Sequence, residues 1–300
     1  MTTASAAPVD GPAVGTLLRG WRERRRISQL ELALKADSSA RHISFVETGR
    51  SRPSRAMVLR LAEHLDVPVR ERNTLLVAAG YAPAFTETPL RDPAMVTLRT
   101  GLERLLAAHE PNPALVLDGG YDVVTANRAV GFLLDGVAEH LLRPPMNAIR
   151  LTLHPQGLAP RIHNLREWRA HLLERMRTQL AMRPGAALRR LYEEAAAFPL
   201  PTGRADGRAA GRPDGGSDAG SAAEHPAELY PYALPLRIEA GGRLLSFLST
   251  VTTFNSPMDV TVSELAVETF LPADAPTAEA LRRLAGHRDL RPPGAGPGSR

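Results

Sequence analysis

Cysteine is absent from the 300 residues, which excludes a disulfide framework, a thiolate nucleophile and a cysteine-bound metal. Aromatic side chains make up only 5% of the chain. No stretch approaches the ~18 consecutive apolar residues of a membrane-spanning helix, and the N-terminus has no charged segment leading into an apolar one. A cytoplasmic protein is therefore expected. Lysine is nearly missing as well, with Lys35 the single example and arginine supplying the other cations. The common catalytic signatures are also lacking: there is no G-x-x-x-x-G-K-[ST], no G-x-S-x-G and no G-x-G-x-x-G after a strand. No enzyme is expected, and no cofactor or metal is called for.

What is present is an uneven charge. The net charge is +5. Residues 14–80 hold 13 Lys and Arg against 7 Asp and Glu, a balance of +6, whereas residues 81–300 hold 24 of each. The excess therefore falls on one short stretch, as expected of a module that meets nucleic acid.

That stretch centres on Ser28 to Arg60. Ser28 with Glu31 forms an S-x-x-E capping box, and Leu30, Leu32, Ala33 and Ala36 follow as an apolar helix face. Asp37-Ser38-Ser39 supplies a turn and a new N-cap. A second helix over 40–48 places Ile43 and Val46 one turn apart on its buried side. Gly49 suits the left-handed residue that ends a helix. Ser54 caps a further helix carrying Val58, Leu61, Ala62 and Leu65. A first helix over 14–26 and a fifth over 70–79 complete an all-α module. Two short helices joined by a tight turn form a helix-turn-helix, whose second member enters a DNA major groove.

The segments SQLELALKA, SARHISFVETGRSRPS and LRLAEHLDV resemble lambda-repressor-like regulators of the XRE type. One departure is Arg26, where that family commonly carries Gly. A left-handed Arg costs about 1 kcal/mol, so a different end to the first helix is expected. The resemblance implies a phosphate clamp at Gln29 and DNA contacts at Ser39 and at Ala40, Arg41 and Ser44, the outer, early part of the recognition helix. Arg41 can grip guanine bidentately, worth about 1–3 kcal/mol of discrimination. His42 either touches DNA or covers the edge of the core. Arg50, Arg52 and Arg55 are assigned to phosphates, and Glu47 to structure. One short helix reads few base pairs, so a homodimer on double-stranded DNA is expected, with half-sites roughly 34 Å apart.

Domain boundaries follow composition. Residues 1–12 read as disordered, 13–80 as the DNA-binding domain, and 81–110 as a linker with a connecting helix. Residues 111–272 read as a second domain, interrupted by a low-complexity insertion at 201–228, and 273–300 as a C-terminal segment with a mobile tail. ALVLD and YDVVTAN around Asp118-Gly119-Gly120 form a hairpin, and a second is expected at 233–239 and 243–255 around Gly241-Gly242. Helices are expected over 127–134, 165–181 and 186–198. The fold class is thus an N-terminal helical domain followed by an α+β domain, a small antiparallel sheet covered by helices.

YDVVTANRAVGFLL resembles a PAS-type sensor domain. TFNSPMDVTVSELAVETFLPAD is similar to the closing segment of MmyB-like regulators, with AAGYAP, PALVLDGGYDVVTANRA and LHPQGLAPRIHNLREW as further landmarks. This resemblance implies a pocket for a small lipophilic ligand, a fatty acid being the best-known type. Candidate contacts around the Pro/Gly-interrupted stretch are His154, Arg161, Asn164, Arg166 and Trp168. A protein-interaction module without a small ligand is the competing reading. His163, Glu167 and His171 share a helical spacing that can suit zinc, yet a solvated helix face explains them better.

Overall fold

Three serines start three helices. Ser28 Oγ accepts from Glu31 N at 3.1 Å, Ser39 Oγ from His42 N at 3.1 Å, and Ser54 Oγ from Met57 N at 3.2 Å. These caps open α2 (Gln29–Lys35), α3 (Ala40–Glu47) and α4 (Arg55–His64), which join α1 (Val14–Arg24) and α5 (Val69–Ala78). The structure is a computed structural model that describes residues 13–182, 185–200 and 233–289. The segments 1–12 and 201–228, and the tail beyond residue 289, lie outside the described residues.

The helical unit is built on Leu18, Trp21, Leu32, Ile43, Val46, Val58, Leu61, Leu65, Leu75 and Leu76, each at most 3% exposed. Leu30 departs from the expected apolar face and is 61% exposed. Two residues of helix rotate it about 200° from Leu32, while Ala33 and Ala36 stay on Leu32's side. Gly49 takes the left-handed conformation at φ +73° as expected, but so does Arg26 at φ +55°. Helix α1 therefore ends through a left-handed residue that is not glycine, and the different ending expected for it does not occur. Arg26→Gly should raise stability by about 0.5–1 kcal/mol, read as a higher urea midpoint, because a Cβ disfavours this conformation.

The chain divides into two compact units differently from the contiguous split expected. The helical unit comprises residues 13–95 together with 254–264 from far along the chain; the second unit holds 96–253 and 265–289. In the helical unit, α11 (Val260–Glu264) packs on α5.

The second unit is a five-stranded antiparallel sheet in the order β2-β1-β5-β4-β3. Its strands are β1 (Ala114–Leu117), β2 (Val123–Ala126), β3 (Leu236–Ala240), β4 (Arg243–Thr253) and β5 (Ala266–Pro272). Both expected hairpins form. Ala240 pairs with Arg243 across Gly241 and Gly242, whose φ values of +57° and +71° are those of a tight type I′ turn. Strand β5, unexpected from sequence, is the centre of the sheet and pairs with both β1 and β4. Residues 128–132 form a 3₁₀ turn rather than the expected helix. Helices α6 (Val96–Ala108), α7 (Glu139–Leu142), α8 (Ala148–Leu153), α9 (Leu165–Met182), α10 (Ala186–Ala197) and α12 (Ala275–Asp289) surround the sheet, α6 packing on β1 and α12 on β4 and β5.

Candidate nucleic-acid interface and ligand cavity

Helix α3 buries Ile43, Val46 and Glu47 and leaves the opposite side open. Arg41 is exposed, while Ala40, His42 and Ser44 are partly so, and Ser39 holds the cap. Arg41 therefore stands on the outer, leading part of the helix, with its guanidinium 5.3 Å from the Phe45 ring centroid. Arg50 approaches the same ring at 6.0 Å. Phe45 is thus a partly exposed platform between two cations, a role the sequence reading missed although its i+4 spacing from Arg41 signals it. His42 is half-buried.

Glu47 fixes how this helix is presented. Its carboxylate accepts from Arg22 Nε at 2.6 Å and Nη2 at 2.9 Å, and from Gln29 Nε2 at 2.8 Å. One buried side chain of α3 thereby ties together α1, α2 and α3. Gln29, expected to clamp a phosphate, has its amide nitrogen held by Glu47, so any DNA contact is made from a fixed rotamer. The hydrogen bond to Glu47 is also the main cause of the raised Arg22 pKa.

The other cations divide sharply. Arg52, expected at a phosphate, instead donates to Ala79 O from Nε at 3.0 Å and Nη2 at 2.8 Å and lies 5.4 Å from the Tyr81 ring. It caps the orphan carbonyls at the C-terminus of α5. Arg25 does the same for Leu65 O and Asp66 O at 2.8 Å each, and Arg60 reaches Ala36 O at 3.2 Å. Arg41, Arg50 and Arg55 are exposed and have no ion-pair partner among the described residues. Those three present their charge outward, so the sequence's charge excess overstates the number of guanidinium groups open to a duplex.

In the second unit a cavity of about 80 Å³ lies between the sheet and helices α8 and α9. Leu115, Ile149, Leu151, Trp168, Leu172 and Phe270 give it an apolar wall. Four lining residues are polar: Tyr121, Thr152, Arg175 and Glu268. Glu268, 7% exposed, accepts from Ser249 Oγ at 2.7 Å, and Arg175 Nη1 stands 3.5 Å from its Oε1. Charge-assisted bonds are normally about 2.7–2.9 Å long, so Arg175 is only loosely engaged and its remaining donors are available. Its guanidinium lies 5.6 Å from the Tyr121 ring. Burial raises the Tyr121 phenol above its ordinary pKa, Arg175 opposing and Glu268 adding to the shift. The hydroxyl therefore stays protonated at neutral pH.

Tyr121 is aimed by strain. It is a buried aromatic at φ +65°, a conformation rare for a bulky residue. The surrounding turn overdetermines it: Asp118 Oδ1 accepts from Gly120 N at 2.8 Å and Asp122 N at 2.9 Å. Asn147 Nδ2 donates to Gly120 O at 2.9 Å, and Gln179 Nε2 to Gly119 O at 2.8 Å.

Of the five expected ligand contacts, Trp168 lines the cavity. The other four sit elsewhere. Arg161 donates to Leu133 O, behind the wall, and Asn164 pins β3 through Pro235 O at 2.8 Å and Arg237 N at 3.0 Å. His154 accepts from Gln156 N at 3.0 Å and packs edge-on to Phe198, while Arg166 is exposed. The His163–Glu167–His171 face does not form, because α9 starts at Leu165 and His163 Nε2 is 3.6 Å from Glu239 Oε2. Tyr121, Thr152, Arg175 and Glu268 were missed. Arg175 carried a signal: it follows Trp168 and Leu172 at i+7 and i+3, a charge on an otherwise buried stripe.

With this geometry in place, comparison with known families gives two matches. The MmyB-like transcription regulator ligand binding domain matches residues 98–284. A helix-turn-helix domain matches residues 13–75. No curated protein matches the chain.

Proposed function

The chain belongs to the MmyB-like transcription regulators, and from that premise we propose that it is a one-component regulator whose cavity senses a small lipophilic molecule, with a fatty acid as the ligand type. DNA binding and a ligand-binding domain come with the family; the ligand class, the homodimer and the cytoplasmic location belong to this proposal. The single observation that carries it is an apolar cavity with one loosely engaged Arg175 beside Glu268. An apolar wall favours a hydrocarbon, and spare guanidinium donors favour an acidic head. The strand order β2-β1-β5-β4-β3 suits the PAS-like sensor resemblance.

Size sharpens the reading. The cavity, about 80 Å³, is smaller than the roughly 150 Å³ apolar void that admits benzene. A hydrocarbon chain must therefore push its walls apart, so that occupation and a change of shape come together. Extraction of the purified protein followed by mass spectrometry tests this directly. A stoichiometric fatty acid supports sensing, whereas an empty core supports the protein-interaction module.

At the DNA, Arg41 reads bases and Arg50 and Arg55 hold phosphates, with Gln29, Ser39, Ala40, His42 and Ser44 completing the contact surface. Arg41→Ala should flatten the preference between a selected duplex and altered duplexes. Arg50→Ala should weaken every sequence alike and lower the salt slope by about one. Mobility-shift titrations at several salt concentrations separate the two; identical behaviour of both variants across sequences would refute these roles.

A further inference from the structure

Residues 254–264 leave the sheet after β4, join the helical unit, and return directly into β5. Asp259, 8% exposed, anchors them. Its carboxylate accepts from Thr86 Oγ1 at 2.7 Å, Thr88 Oγ1 at 2.8 Å and Thr88 N at 3.0 Å. Its other oxygen accepts from Thr261 N at 2.8 Å, opening α11. Val260 N donates to Thr86 O at 2.7 Å, and Val260 itself is 1% exposed. At the far end, Glu264 holds Arg70 of α5, with Nε at 2.7 Å and Nη2 at 3.1 Å, and Glu87 grips the same guanidinium. Asn73 of α5 fixes the 84–88 strip by accepting from Ala84 N and Phe85 N and donating to Phe85 O.

Three residues of chain separate Glu264 from Glu268, which lines the cavity, and Phe270 lines it two residues later. Four steps of chain, at most roughly 13 Å if fully extended, therefore join the grip on Arg70 to the cavity wall. Strand β5 is hydrogen-bonded on both edges, to β1 and to β4. Both edges are paired over 266–269, so that stretch is stiff, and a shift at Glu268 reaches Ala266, with Leu265 alone between it and Glu264. The part-buried Glu264–Arg70 pair and the buried Asp259 fix the position of 254–264, while the exposed Glu87 pair adds little.

We propose that 254–264 is the transmission segment of this regulator: a docked loop through which the state of β5 biases the DNA-binding helices, with Asp259 and Glu264 as its positioning residues. The two states are the segment docked and the segment released. The inference rests on the sensor reading, but linkage is reciprocal, so DNA must act on β5 just as a ligand on β5 acts on DNA binding. The test therefore needs no ligand.

Hydrogen exchange is followed in the full chain, free and bound to a duplex selected from a random pool by the protein itself. In the wild type, duplex binding should change exchange of the 266–272 amides by about 5-fold or more, the low end of ordinary coupling. In Asp259→Asn/Glu264→Gln the duplex should still protect residues 40–47 and leave 266–272 unchanged. Arg70→Gln breaks the grip from the other side and should reduce the same response, which covers the case in which the double variant does not fold. A wild-type β5 that ignores DNA, or variants whose β5 responds in full, overturns the proposal. Neither result bears on whether a lipid occupies the cavity, which mass spectrometry decides separately.

Discussion

Glu47→Ala should destabilise the helical unit by about 3–5 kcal/mol, the range for breaking a buried ion pair by deleting one partner. The Glu47 side chain is 3% exposed, and the Arg22 side chain is only 12% exposed. Removal leaves Arg22 with its Ile27 O contact at 3.0 Å and, as counter-charge, only Glu23 Oε1 at 4.0 Å. It also strips the acceptor from the Gln29 amide. Both losses fall on the joint between α1, α2 and α3, so the recognition helix loses its orientation along with its support. The measurable outcome is a large drop in the urea midpoint accompanied by loss of affinity for every duplex, although Glu47 is buried. Glu47→Gln is the informative companion. It keeps one acceptor oxygen and the shape but lacks the charge, and should fall between wild type and Ala. If Glu47→Ala bound a selected duplex normally, the account of how α3 is held would fail.

Why Glu47 reads as structural in sequence while Arg52 misleads is a matter of partners. An acidic residue on a helix that meets phosphate has one tolerable direction, inward. An arginine near the same helix has two, a phosphate or a backbone carbonyl, and both satisfy its donors. Arg52, Arg25 and Arg60 take carbonyls at helix ends, a choice set by tertiary placement that no local pattern records. The capping serines at 28, 39 and 54, by contrast, act within three residues of themselves, and so do Gly241 and Gly242. Those features were legible. Strand β5 was not: AVETFLP puts Glu268 and Thr269 in the interior, without the alternation that marks a half-buried strand, and Glu is a poor strand former. The polar end of the cavity was hidden for the same reason. Arg175 and Glu268 stand 93 residues apart and meet only once β5 has taken the centre of the sheet.

The second large effect is expected at Gly15, where a single methyl group decides whether α1 can lie against the recognition helix. A Cβ built there meets Val46 O at 2.3 Å, Glu47 O at 2.7 Å and Glu47 C at 2.9 Å. All three are backbone atoms of α3, so no side-chain rotation relieves the clash and one helix must back away. Helix propensity pulls the other way, because Ala is favoured over Gly by about 1 kcal/mol in a helix interior. Gly20, in the same helix, isolates that term, since nothing lies within 4 Å of a Cβ there. Gly20→Ala should therefore stabilise the unit by up to about 1 kcal/mol, while Gly15→Ala should destabilise it by about 3 kcal/mol or more, at or beyond the upper end of overpacking costs. Opposite signs from one substitution type in one helix, read from paired urea titrations, would exclude propensity as the cause. Because Val46 and Glu47 belong to α3, the displaced helix is the one that carries Arg41. Gly15→Ala should consequently weaken duplex binding even at temperatures where circular dichroism shows the helices intact, and a variant that kept both stability and affinity would mean that α1 and α3 do not approach this closely in solution.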